Sequence, residues 1–344
     1  MKNHRLKAGL SALALLAMTG LAACGGSEDA ATLVDGPWED VVAAAEDEGR
    51  VNLYSVAPPI QNDALVEAFK KAHPGIEVSV TRGAGELPGR VEQEIRSKSD
   101  GADVFIYTDP DLFGDLSDDL LEVDGPHVDG WADDFWAVED KAIIPTKYPW
   151  TMFVWNTKTF PQGFKTWDDL LKPEVKGKLA TRSDLTTSMA ATYDFMEKEL
   201  GEEFMSDLGD QRPKFYTSAV PMGQAVASGE AGVTMISTPS IVADLKAQKA
   251  PVEFGFPEPG FSIMWGAAAL ETSKRPNAAR VFLDFVMSEE GQEAINGDGF
   301  GASGREDVKG ALDLSEGWTF FDSAPYTPEV MNDSQAKFDK YFRD

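Results

Sequence analysis

Apolar residues recur along the chain in two alternating patterns. Helical spacing, with apolar positions three and four apart, covers 38–48, 60–72, 87–98, 189–200, 241–248 and 277–287, and another helix starts at Trp167 in the run Trp-Asp-Asp-Leu-Leu. Between these lie short runs rich in β-branched and aromatic residues, at 51–56, 76–81, 104–107, 178–181, 232–236 and 263–270. Such alternation predicts an α/β protein whose strands pair in parallel, with helices over both sheet faces. One run stands apart in the middle of the chain, Pro149-Trp-Thr-Met-Phe-Val-Trp-Asn156, preceded by Pro145. It reads as a buried strand that carries the chain from one domain into another, and a strand shared by two lobes makes a hinge.

The first residues do not belong to this pattern. Lys2, Arg5 and Lys7 precede an apolar run at 13–18 and then small residues, so 1–23 reads as a targeting segment. That run is shorter than the roughly 20 apolar residues a spanning helix needs. Without those three cations the formal charge goes from −27 to −30. An acidic surface of this size favours solubility and argues against nucleic acid, whose phosphates it repels. Screening over about 10 Å at 0.1 M salt keeps it from naming a ligand in a buried pocket. The remaining chain, roughly 320 residues, is sized for two domains. The sequence holds one cysteine, Cys24, so both domains must stand on their cores without disulfides.

Leu21-Ala-Ala-Cys24-Gly resembles the lipobox of bacterial lipoproteins, which implies lipidation at Cys24 and a flexible tether over 24–37. Further along, the carriers of a second resemblance are Val51-Asn-Leu-Tyr-Ser, Ala102-Asp-Val-Phe, Val154-Trp-Asn-Thr-Lys and Trp167-Asp-Asp-Leu-Leu-Lys-Pro-Glu-Val-Lys-Gly-Lys. Ala227-Ser-Gly-Glu-Ala-Gly-Val and the run from Ala278 to Gln292 complete the set. In their order and spacing these resemble the periplasmic binding proteins of bacterial ABC importers, in the branch with ferric-ion, thiamine, polyamine and phosphonate binders. The resemblance implies a type II fold: two α/β lobes joined by crossing strands, with a small-molecule ligand enclosed between them. Lobe one is expected over 38–144 and 261–303, and lobe two over 150–260 and 304–344. It also implies a monomer that delivers its ligand to a permease at the outer face of the membrane. No cofactor is expected.

Open α/β sheets place their ligands where strands run into helix N-termini. Four such junctions can be read. Ser55-Val-Ala-Pro-Pro has prolines suited to a first helical turn. Arg82-Gly-Ala84-Gly85-Glu86 has glycines that let backbone N–H groups approach a ligand. Ser183-Asp-Leu-Thr186-Thr187-Ser188 brings hydroxyls ahead of a helix, and Thr238-Pro-Ser240 pairs a capping residue with proline at the first helical position. Aimed at one point, these donors and the Arg82 guanidinium make a site for a carboxylate or phosphonate. The competing reading is that each hydroxyl caps only its own helix and that Arg82 pairs with a surface carboxylate.

Three rival functions compete with this reading. Ferric binders of the branch use paired tyrosines, usually with a histidine and a carboxylate; here those places hold Pro239-Ser240 and Ala57-Pro58, leaving only Asp109. A cation such as a polyamine or thiamine needs an aromatic box, for which Trp150, Trp155, Trp265 and Tyr54 are candidates, with Asp109 or Glu86 as counter-charge. Phe261, Met264 and Trp265 near the second crossing either line the cleft or pack beneath it. An enzyme finds little support: Ser334-Gln-Ala-Lys337 has no companion motifs, and the glycines from Gly83 to Gly89 miss the dinucleotide spacing by one residue.

Overall fold

In the computed structural model, which describes residues 31–83 and 85–343, helices and strands follow one another almost throughout. Cys24, the leader and Ala84 lie outside the described residues. Helix α1 (Trp38–Glu48) ends because Gly49 turns left-handed at φ 70° and returns its N–H to Ala45. Strand β1 (Arg50–Ser55) then runs to Pro58-Pro59, and the second of these prolines opens α2 (Pro59–Ala72), where a missing N–H costs nothing. β2 (Glu77–Arg82), α3 (Leu87–Ser97), β3 (Val104–Tyr107) and α4 (Asp111–Asp115) continue the alternation. Two strands that the periodicity did not single out follow, β4 (Trp136–Val138) and β5 (Ala142–Pro149), the latter buried at every position.

The crossing falls on Trp150. β5 before it belongs to a first sheet, and β6 (Thr151–Asn156) after it belongs to a second. The second lobe is then built from β7 (Leu179–Arg182), α5 (Thr187–Leu200), α6 (Glu202–Asp210), β8 (Lys214–Tyr216), α7 (Ala219–Ser228), β9 (Val233–Ile236), α8 (Pro239–Ala247) and β10 (Val252–Gly255). β11 (Gly260–Ala269) returns to the first sheet, followed by α9 (Pro276–Met287), buried along its whole length, and α10 (Glu289–Asn296). β12 (Trp318–Phe320) and α11 (Pro328–Phe342) end the chain.

The first sheet has the order β2-β1-β3-β11-β5-β4, with β12 added along β11, and the second has β10-β6-β9-β7-β8. Pairing is mixed rather than wholly parallel. β1, β2 and β3 pair in parallel, as do β7, β8 and β9, because a helix follows each strand and brings the chain back. β11 is antiparallel to β3 and β5, and β6 to β9 and β10, because these strands carry the chain between lobes.

Both ends of the chain depart from expectation. From Ala31 the presumed free tether is fixed to the first lobe: Ala31 N–H donates to Lys274 O (3.2 Å), Asn277 grips Thr32 O and Val34 N–H (both 2.9 Å), and Arg280 holds Val34 O (2.8 Å). The segment after Gly304, assigned from sequence to the second lobe, divides. Arg305 donates to Met287 O (2.7 Å) and β12 joins the first sheet, whereas α11 lies on α5 and α6 of the second. A third crossing therefore runs between β12 and α11.

Candidate ligand cleft

A cavity of about 210 Å³ opens between the two lobes and is lined from both. The first lobe supplies Val56, Pro58, Pro59 and Gln61 from the β1–α2 junction, Arg82 from the end of β2 and Thr108 after β3. Tyr148 of β5, Trp265 of β11 and Phe300 form its floor. The second lobe supplies Val220 at the start of α7 and Thr238, Pro239, Ser240, Ile241 and Asp244 from the first turns of α8. Two helix N-termini, those of α2 and α8, thus reach the same space, each with proline at its first position.

Sequence places these groups through short-range rules. Thr238 caps α8, its hydroxyl accepting from Ile241 N–H at 3.5 Å and sharing a hydrogen with Ser240 Oγ at 3.1 Å. Arg82 is steadied by one bond, from Nε to Ala57 O at 3.0 Å, and makes no ion pair with any described residue. Trp265 meets Tyr148 edge to face at 5.6 Å between ring centroids, and burial pushes the Tyr148 hydroxyl well above its usual range, so it is neutral. Gln61 is anchored by Nε2 to Ile295 O at 2.9 Å.

Of the residues proposed from sequence, Arg82, Thr238, Ser240 and Trp265 share this lining. The rest lie elsewhere. Ser55 is buried beneath it, its Oγ accepting from Ala57 N–H at 3.1 Å, so it shapes the turn. Gly85 and Glu86 are exposed beyond the lining, and a side chain at Gly85 would meet nothing within 4 Å. Asp109 is occupied by Ser323 Oγ (2.6 Å) and the Asp111 N–H (3.2 Å), and burial raises its pKa. Trp150 is buried at the crossing, 5.6 Å below the Arg182 guanidinium, which pairs with Asp184. Thr186 caps α5 through Met189 N–H (3.4 Å) and bonds Ser188 Oγ (3.1 Å), so with Thr187 these hydroxyls open their own helix.

The aromatic box also fails to assemble. Tyr54 packs in a separate core cluster with Leu87 and Phe105, its hydroxyl bonded to Glu94 at 3.0 Å and its ring covered by Arg90 at 4.4 Å. Trp155 lies against Phe164 at 6.0 Å, so of the four rings only Trp265 faces the cavity. Conversely, sequence missed Tyr148, Gln61, Thr108, Phe300 and Asp244. Asp244 had a readable signal, since it lies four residues after Ser240 and so on the same helix face. Phe300 had none.

A larger hollow of about 650 Å³ lies on the outer face of the first lobe, between α2 and α10, and includes His73 and His127. Only one lobe lines it, so lobe movement does not alter it. The interlobe cavity is the better candidate because its walls come from two bodies.

A two-lobed α/β architecture with a cavity at the strand ends between the lobes defines a class of ligand-enclosing proteins. The chain belongs to the bacterial extracellular solute-binding proteins, whose family model matches residues 30–293. Among solved structures it is similar to the substrate-binding protein of an ABC transporter from Agrobacterium tumefaciens, at 18% identity and TM-score 0.71 over 84% of this chain and 94% of that one. It is similar also to iron-bound HitA from Pseudomonas aeruginosa, at 20% identity and TM-score 0.65 over 85% and 99%. A third is AfuA from Actinobacillus pleuropneumoniae with fructose-6-phosphate bound, at 20% identity and TM-score 0.64 over 86% and 99%. No curated protein matches by sequence. Among the described residues no helix is long and apolar enough to cross a membrane.

Proposed function

We propose that this protein is the solute-receiving component of an ABC importer, held at the outer face of the membrane through lipid on Cys24 and acting as a monomer. Its ligand is a small organic solute carrying a carboxylate or phosphonate group. One observation carries this reading: the Arg82 guanidinium, with no acidic partner among the described residues, shares a cavity with two helix N-termini that come from different lobes. The amide ends and the guanidinium favour negative charge, and the hydroxyls of Thr238 and Ser240 add neutral donors. HitA is iron-bound and AfuA holds fructose-6-phosphate, so this fold accommodates metal and anionic cargo alike. Tyr148 is the one tyrosine in the lining, where ferric binders pair two, and burial keeps its hydroxyl neutral, while Pro239 and Ser240 add no phenol; this favours the organic anion over ferric ion.

Capture works by closure. A solute touching one lobe and then bridging both shifts the population toward the closed form, and only its preference for that form can do so. The test is a thermal-shift and titration panel of organic anions, amines and ferric citrate on the mature protein. A ligand at a hundred times its Kd adds about 2.7 kcal/mol of stability. Arg82→Ala, or Thr238→Ala with Ser240→Ala, should weaken anion binding about tenfold or more while leaving the melting temperature of the free protein unchanged. Binding of ferric ion or amines alone, unaffected by these changes, would refute the assignment.

A further inference from the structure

Resting on the reading of the cleft as the solute site, we propose that the solute is a zwitterion, with its acidic group at Arg82, an ammonium group at Asp244, and a short apolar span between. Of the side chains lining the cavity, these two alone are charged, and they come from opposite lobes. Neither forms an ion pair, with the other or with any described residue. A plain anion in so small a space would meet the Asp244 carboxylate as a like charge, and a plain cation would meet Arg82 in the same way. A molecule bearing both charges satisfies both walls.

The placement sets the spacing. Ser240 at the mouth of α8 and Asp244 one turn further along lie on the same helix face, about 6 Å apart along the axis at 1.5 Å per residue. The acidic group then sits toward the helix N-terminus and Arg82, and the ammonium one turn further along α8, at the exposed side of the cavity, separated by about two to five carbon atoms. Trp265, Tyr148, Ile241 and Val220 give the span apolar walls. Because each charge belongs to a different lobe, a zwitterion is bound fully only when the lobes close on it, which links recognition to closure.

The experiment is isothermal titration of the mature protein with matched sets: ω-amino acids of two to six carbons and 2-aminoethylphosphonate, each beside its deaminated acid and its acid-free amine. At least one zwitterion should bind about tenfold or more tighter than both of its relatives, with an optimum in chain length. Asp244→Asn should erase the preference over the deaminated acid without weakening that acid, and Arg82→Ala should erase the preference over the amine. Deaminated acids that bind as tightly as zwitterions, with Arg82→Ala harmful and Asp244→Asn neutral, would overturn this proposal and leave the anion reading standing. Acid-free amines binding best would overturn both. Equal losses for all three kinds of molecule in Asp244→Asn would show a ligand-independent latch and also overturn it, as would absence of binding by every zwitterion.

Discussion

Single residues in this protein show how charge can be buried without loss. Asp103 is wholly inaccessible, yet it accepts from Asn52 N–H (2.7 Å), Ser273 Oγ (2.6 Å) and Arg275 Nε (2.8 Å), while Arg275 also reaches the more exposed Asp100. This joins β1, the turn before β3 and the start of α9. Arg275→Ala should therefore cost about 3 to 5 kcal/mol in urea unfolding, because Asp103 would be left buried and unpaired. Asp169 shows the opposite, surface case. Burial alone would raise its pKa, but the ion pair with Lys172 (2.6 Å) and two N–H donors, from Lys165 (2.7 Å) and Thr166 (3.0 Å), outweigh it and bring it down to about 2. A depressed folded value means a contribution present above the usual carboxylate range of about 4 and lost as pH falls toward 2. Asp169→Ala should cost about 1 kcal/mol at pH 7 and progressively less below pH 4, measured by unfolding curves at several pH values.

At the scale of elements, local signals located most of the helices and several of the strands. The prolines at Pro59 and Pro239, the caps at Thr186 and Thr238 and the stop at Gly49 all sit at the boundaries their chemistry demands. β5 was not legible, since it contains Pro145, Lys147 and Pro149 and looks like a loop. Only its neighbours make it a strand: β11 and β4 pair with it, and the Lys147 ammonium finds Asp134 at 2.6 Å. That ammonium also lies 4.0 Å from the centre of the Phe135 ring and 5.0 Å from that of Phe320, so it fastens the late strand β12 to the first lobe. Lys147→Ala should loosen this attachment, seen as faster hydrogen exchange at 318–320 with little change in the second lobe. Unchanged exchange there would mean that the pairing of β12 with β11 suffices.

For the whole molecule, the connections between lobes decide what the lobes can do. The chain crosses at Trp150, again between β10 and β11, and again between β12 and α11, so the cavity is bounded by stretches that tie two otherwise separate sheets. A ligand bound by both lobes should reduce the radius of gyration in small-angle scattering, and should perturb Trp265 fluorescence because that indole lines the cavity. Loss of the fluorescence response in Trp265→Phe, with compaction retained, would place the probe correctly. The mixed sheets and the divided C-terminal segment follow from these crossings, which no window of local periodicity contains. The site was half legible for the same reason. Arg82, Thr238 and Ser240 could be read from strand–helix junctions, whereas Tyr148 and Phe300 reach the cavity only through the pairing of distant strands.

The sequence by itself determined the chain's single cysteine and acidic balance, which are sums over composition, and the α/β alternation, most helix boundaries and the middle strand where the chain changes lobes, because each of these depends on residues within a few positions of one another. Tertiary structure alone decided that the four chosen aromatics do not meet, that Thr186, Thr187 and Ser188 serve their own helix, and that Arg82 and Asp244 line one cavity from opposite lobes. Those outcomes depend on how two sheets are ordered and set against each other, and strand order is fixed by contacts between residues far apart in the chain.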